Sequence, residues 1–202
     1  MYGEAPPGAH VDLTPKRLKE LQTLEFSVEG NFSPVLEKIN SELGTQLQPR
    51  EGFHVTIISP TESKRLENLT DEQLQELQDI NQQLQSGVGV EMKGIGYIDG
   101  SIAEGIRPAD KEKKTAFISF SIPALQKFRE SIGLPPKDFH ITLGFNGGDI
   151  HMRTVGQDSK GKPILGPIPK RADPAFDKYL DYMPQPNFGP LDGQERQKKQ
   201  AP

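Results

Sequence analysis

Residues 139–143 read FHITL, and residues 53–57 read FHVTI. A chain of 202 residues with only four histidines sets two of them in the same Phe-His-aliphatic-Thr-aliphatic frame. Successive side chains of a strand point to opposite faces. Phe53, Val55 and Ile57 then share one face, and His54 and Thr56 share the other. Phe139, Ile141 and Leu143 are separated from His140 and Thr142 in the same way. The apolar sets can pack under helices while the polar pairs look outward.

Each copy also closes the same larger unit. LEFSVEG (24–30) alternates as a half-buried strand, and Ser33-Pro34 opens a helix as cap and first helical residue. Val35, Leu36, Ile39 and Leu43 recur at helical spacing up to Gly44, and FHVTIIS follows after a loop. In the second half, TAFISFSI (115–122) is a strand, and Leu125, Phe128 and Ile132 mark a helix ending near Gly133. DFHITLGF (138–145) completes it. Two strand-helix-strand units, about 24–60 and 115–146, suggest a duplicated half-domain related by a pseudo-two-fold axis. The two polar pairs would then face each other across a groove.

Between the halves, LTDEQLQELQDINQQLQS (69–86) is a helix. Thr70 and Gln73 form its capping box, and Leu74, Leu77, Ile80 and Leu84 form its apolar stripe. VGVEMKGIGYIDG and SIAEGIRP read as two strands joined at Asp99-Gly100. TPKRLKELQTL is a short helix in an otherwise loose lead-in over residues 1–23. The domain is expected over 24–155. Residues 156–202 form a Pro/Gly/Lys-rich tail, partly disordered, in which only DPAFDKYLDYM makes a helical turn or two that docks on the body.

Composition excludes several classes of function. The absence of cysteine removes disulfides, thiolate metal sites and cysteine nucleophiles. Lys plus Arg total 24 against 28 Asp plus Glu, which argues against a large basic face wrapping duplex DNA. No run reaches membrane-spanning length, and the N-terminal MYGEAPPGAHVDLTPKR lacks the apolar core of a signal peptide. A soluble, cytoplasmic monomer is expected, without membrane contact.

Imidazole titrates near pH 6.5, so of two facing histidines one can be a base while the other is an acid. Opening a phosphodiester needs that pair, one to take a proton from the attacking oxygen and one to give a proton to the leaving oxygen. Threonine hydroxyls could donate to non-bridging phosphate oxygens. This chemistry needs no metal, and no cofactor is expected.

HVTI at 54–57 and HITL at 140–143 resemble the paired His-x-Thr/Ser-x motifs of the 2H phosphoesterase superfamily, which includes RNA 2′,3′-cyclic phosphodiesterases of the LigT type. KDFHITLGFNGGDIH is similar to the Swiss-army-knife RNA-repair-like branch. The resemblance covers about Leu24 to Arg153. It implies a bilobal α+β fold with antiparallel sheets around a central groove, and metal-independent phosphodiesterase chemistry, commonly opening 2′,3′-cyclic phosphates to 2′-phosphates. By position it makes His54 and His140 the acid/base pair and Thr56 and Thr142 the phosphate-binding hydroxyls. Which histidine is acid and which is base stays open. The partner implied is an RNA end or a small nucleotide phosphodiester.

His151, in GGDIHMR with Arg153, lies near enough to the second motif to touch substrate. His10 reads as an ordinary surface histidine. Lys93, Tyr97 and Arg107 could rim the groove, but read as solvated surface. Three alternatives stand beside the enzyme: two amphipathic strands with no chemistry, a non-catalytic nucleotide- or RNA-end-binding module, and a two-histidine zinc site. The zinc site lacks a third ligand.

Overall fold

A computed structural model describes residues 14–195. His10 and the basic end RQKK (196–199) lie outside the described residues. The fold is α+β with antiparallel sheets. In chain order the main elements are α1 (Pro15–Glu20), β1 (Leu24–Glu29), α2 (Ser33–Leu43), β2 (Gln48–Pro49), β3 (Phe53–Ile58), α3 (Asp71–Gln85), β4 (Glu91–Asp99), β5 (Lys114–Ser121), α4 (Pro123–Ser131), β6 (Phe139–Asn146), β7 (Met152–Gln157), β8 (Pro163–Pro167) and β9 (Asn187–Asp192). Two nine-residue 3₁₀ segments, Pro60–Asn68 and Pro174–Tyr182, and a short one, Pro108–Asp110, lie in the long connections.

One sheet has the order β3-β1-β9, a second β2-β6-β5-β4, and β7-β8 form a separate hairpin. Both strand-helix-strand units are present, β1-α2-β3 and β5-α4-β6. β3 ends its sheet and packs beside β6 of the other, which brings the two motif strands together. Val55, Ile57, Phe139, Ile141 and Leu143 are all buried in one core with Leu36, Ile39, Leu125 and Phe128 from α2 and α4. Burying each such side chain is worth about 1.5–3 kcal/mol. This burial fixes the strand register, and with it the outward direction of His54 and His140.

Local signals set the helices. Gly44 caps α2 at φ 61°, where a Cβ would be strained. The expected start shifts by one residue: Phe32 is the cap, and Asn31 Oδ1 accepts from Ser33 N at 3.2 Å. Thr70 and Gln73 close the capping box of α3, and Leu74, Leu77, Ile80 and Leu84 are buried.

Two expectations are corrected. SIAEGIRP forms no strand: Asp99 Oδ1 accepts from Ser101 N and Oγ and winds residues 101–105 into turns, leaving Ile102 exposed. β4 pairs with β5 instead, across a loop closed by Gly100 N donating to Lys113 O at 2.9 Å. The loose tail is corrected over 156–195. β9 pairs antiparallel with β1, and Tyr179 is fully buried with its hydroxyl donating to Glu42 at 3.1 Å. A strand interrupted by Gly189-Pro190 suits an edge position, and β9 has that place. The expected docking of DPAFDKYLDYM takes the form of the 3₁₀ segment Pro174–Tyr182. At the other end, Leu18 and Leu21 bury α1 of the lead-in against the core. Among the described residues, no helix is long and apolar enough to cross a membrane.

Candidate functional site

His54 stands on β3 opposite Ser27 of β1. Arg50, just past β2, is anchored by its backbone N–H to Leu143 O at 3.2 Å, and its Nη2 lies 3.2 Å from His54 Nε2. A guanidinium only donates, so Nε2 accepts and the ring carries its proton on Nδ1. Glu25 Oε2 on β1 is 3.6 Å from the same Nε2. Burial first, then the Arg50 charge, pushes the His54 imidazole down to about 4, with Asp149 opposing. Burial pushes the Glu25 carboxyl up, against Arg50.

His140, on β6 opposite Ser119, has Nδ1 2.9 Å from the Asp138 carbonyl oxygen. A carbonyl only accepts, so Nδ1 is protonated here too and Nε2 keeps its lone pair. Phe117 meets the ring edge-on at 6.0 Å. Burial, then the Lys170 ammonium, holds this imidazole at about 3; the Asp138 carbonyl and Asp149 oppose the shift and Lys137 adds to it. Lys137 itself is pushed down to about 8 by burial, against Glu62. Both histidines are neutral at pH 7 in the free protein.

Asp149, in the turn after β6, joins the two sides. The Thr142 hydroxyl donates to its Oδ2 at 2.7 Å and Lys170 Nζ to its Oδ1 at 2.9 Å. Arg50 Nη1 lies 3.8 Å and His151 Nε2 3.7 Å from Oδ2. Burial raises this carboxyl, but Lys170, His151 and Thr142 overcome that and hold it at about 2. A hydroxyl has one proton. Thr142 spends it on Asp149, so donating to a phosphate would require the hydroxyl to turn.

Thr56 is half-buried, on the same face of β3 as His54. His151 remains 63% exposed at the rim, its imidazole pushed down by burial against the pull of Asp149. Arg153 is on β7, bridged to Ile106. Lys93 pairs with Glu91 and Arg107 with Asp110, whereas Tyr97 stacks on Phe176 at 5.6 Å and is not a solvated residue.

Sequence reasoning missed Glu25, Arg50, Asp149 and Lys170. Asp149 was within reach as the acid of the quoted GGDIH, and Arg50 as the base four residues before His54. Lys170 had no local signal. Among the described residues, no three of the His, Asp and Glu side chains are grouped to hold a metal ion. An open groove of about 590 Å³ between α3 and α4 is a different place, lined by Glu72, Glu76, Asp79 and Lys127. Its lining holds three carboxylates and one ammonium, and none of the sequence-predicted site residues is among them.

An antiparallel α+β fold that pairs two histidine-bearing strands fits the 2H class of phosphoesterases. The family described as Swiss Army Knife, 2H phosphoesterase domain matches residues 26–151, more than half of the chain, and the chain belongs to it. No curated protein and no solved structure matches the chain.

Proposed function

We propose that the protein is a phosphodiesterase that hydrolyses a 2′,3′-cyclic phosphate, or a related phosphodiester of an RNA end or nucleotide, with His54 and His140 as its acid/base pair. Support comes from the link Arg50–Asp149–Thr142, which ties His54 on one sheet to the second motif on the other. A cyclic phosphate that reaches Arg50 draws it off His54 Nε2, because a guanidinium gains more from a phosphate oxygen than from a neutral ring. One imidazole takes a proton from water as its oxygen forms the new bond to phosphorus. The other gives a proton to the ribose oxygen as its bond to phosphorus breaks.

The acid must first gain a proton, since both rings start neutral. The phosphate's negative charge favours that uptake. Neither step calls for a metal ion. The two strand-helix-strand units serve, in this reading, as the pseudo-symmetric halves of the groove.

The test is hydrolysis of 2′,3′-cyclic mononucleotides in EDTA by wild type, His54→Ala and His140→Ala. Each variant should lose about 100-fold or more in rate while its melting transition persists. Activity removed by the chelator, or retained in both variants, would sink the reading. Phosphate binding without turnover would leave the non-catalytic binding module in its place.

A further inference from the structure

Asp149 takes up donors that a substrate phosphate would use. Its Oδ2 accepts from the Thr142 hydroxyl at 2.7 Å and lies 3.8 Å from Arg50 Nη1 and 3.7 Å from His151 Nε2. An anion that meets Thr142 or Arg50 therefore lies beside this carboxylate. Burial works against its ionisation, but Lys170, His151 and Thr142 hold it at about 2, so it stays charged throughout the neutral range.

The cations in contact with Asp149 differ in what they can offer a ligand. Lys170 Nζ donates to Oδ1 at 2.9 Å, and the two side chains are 3% and 5% exposed, so this pair is closed off. The segment that carries Lys170 is fastened in place: Lys170 N donates to Asp138 Oδ2 at 3.2 Å, Ile168 N to His151 O at 3.0 Å and Asp173 N to Ile95 O at 2.9 Å. Arg50 is 27% exposed on its side chain and can turn to a ligand. The His151 imidazole is exposed but pushed down by burial, so it adds little charge above pH 7. On the His54 side, Glu25 Oε2 brings a further carboxyl 3.6 Å from Nε2. Further out, Lys137 lies 3.7 Å from Glu62, and Arg107 pairs with Asp110.

We propose that Asp149 is a specificity-determining residue: it cancels Lys170 and leaves Arg50 to meet one negative charge, so the site admits a phosphodiester and rejects a terminal phosphomonoester. The proposal rests on the phosphodiesterase reading and names the substrate class within it. A diester carries one charge. Water adds across its P–O bond, one proton goes to the ribose oxygen, and the P–OH left behind ionises with a second pKa of about 6. The product is therefore a dianion above pH 7, with its extra charge beside Asp149 Oδ2. Like charges at such separations repel strongly where water is scarce. The product leaves, and the reaction stops at the monoester.

The test is calorimetric affinity, above pH 7, for a 2′-deoxynucleoside 3′-phosphate and for its methyl ester. The two ligands differ by one charge, and neither has the 2′ hydroxyl through which it could cyclise. Wild type should bind the methyl ester at least as tightly as the monoester. Asp149→Asn keeps an oxygen that accepts from Thr142, and there the ratio of affinities should swing toward the monoester by about tenfold or more. Lys170→Met/Asp149→Asn removes one charge of each sign and should bring the ratio back near the wild-type value, which a purely structural effect of the substitution would not do. If Asp149→Asn fails to fold with Lys170 unpaired, Lys170→Met decides, and should move the ratio away from the monoester. A wild type that prefers the monoester by about tenfold, or binds neither ligand, overturns the proposal, as does a ratio that the charge variants leave unmoved. Hydrolysis of 2′,3′-cyclic mononucleotides separates the two readings. Turnover with an unmoved ratio removes charge selection and leaves the paired histidines; a ratio that moves as expected without turnover does the reverse.

Discussion

A single hydrogen bond, Arg50 to His54 Nε2, sets the resting state of one catalytic candidate, because it fills the lone pair a base would use. Arg50→Ala should therefore do two things at once. Affinity for inorganic phosphate should fall about tenfold or more by calorimetry, the worth of a charge-assisted hydrogen bond. The His54 ring should titrate higher by NMR, since a nearby cation is gone. Unchanged phosphate affinity would remove Arg50 from the anion site. The depressed histidines also make the fold acid-sensitive. Their folded values of about 4 and 3 lie below the ordinary value of about 6.5, so over that window the unfolded chain binds protons that the folded chain does not. Stability is complete above about pH 6.5 and is lost as pH falls through 4 and then 3. Asp149 and Glu62, held at about 2, extend the same loss to lower pH. The melting temperature should fall below about pH 6, less steeply in His140→Gln; equal slopes would contradict the burial account.

At the scale of elements, Arg129 of α4 holds the motif strands in place. It is 1% exposed and donates to Ile57 O in β3, to Glu62 in the following 3₁₀ segment, and to Pro135 O in the loop that leads into β6. Lys137 adds a contact to Glu62 at 3.7 Å. Replacing Arg129 by Met keeps the packing volume but strands a partly buried carboxylate and two carbonyls. The expected cost is about 3–5 kcal/mol of unfolding free energy in urea, within the range for breaking a buried ion pair. A loss below about 1 kcal/mol would mean the three segments hold their places without it. The helical pattern from Leu125 to Ile132 was legible in the sequence, but a charged residue on the buried side of α4 was not, because its three partners lie on other segments.

Over the whole molecule, packing around one glycine of β4 reaches the segment that carries Lys170. Gly96 admits both the Phe117 ring and the Arg171 carbonyl, so a methyl group there must push the segment that carries Lys170. Overpacking of this kind costs about 1–3 kcal/mol. Gly96→Ala should lower cyclic-phosphate hydrolysis by about tenfold and weaken phosphate binding, with a modest drop in melting temperature. Full activity would show that the placement of residues 168–173 does not matter to the site. The same region shows where composition misleads. Pro, Gly and Lys between 156 and 173 read as tail, yet ordered backbone there is held by contacts with β4, Asp138 and His151 that no local window contains.

By itself, the sequence determined which way the motif side chains point. Strand alternation in FHVTI and FHITL, the Thr70 cap, the Gly44 stop and the apolar stripe of α3 are local properties of backbone geometry, and a single chain displays them. Only tertiary structure decided what stands beside the histidines. Glu25, Arg50, Asp149 and Lys170 come from separate stretches, and a side chain's charge state depends on neighbours and burial rather than on its own position in the chain. The place of β9 was decided the same way: Phe188 and Leu191 are too few to announce a strand, and β1 supplies the partner that makes them one.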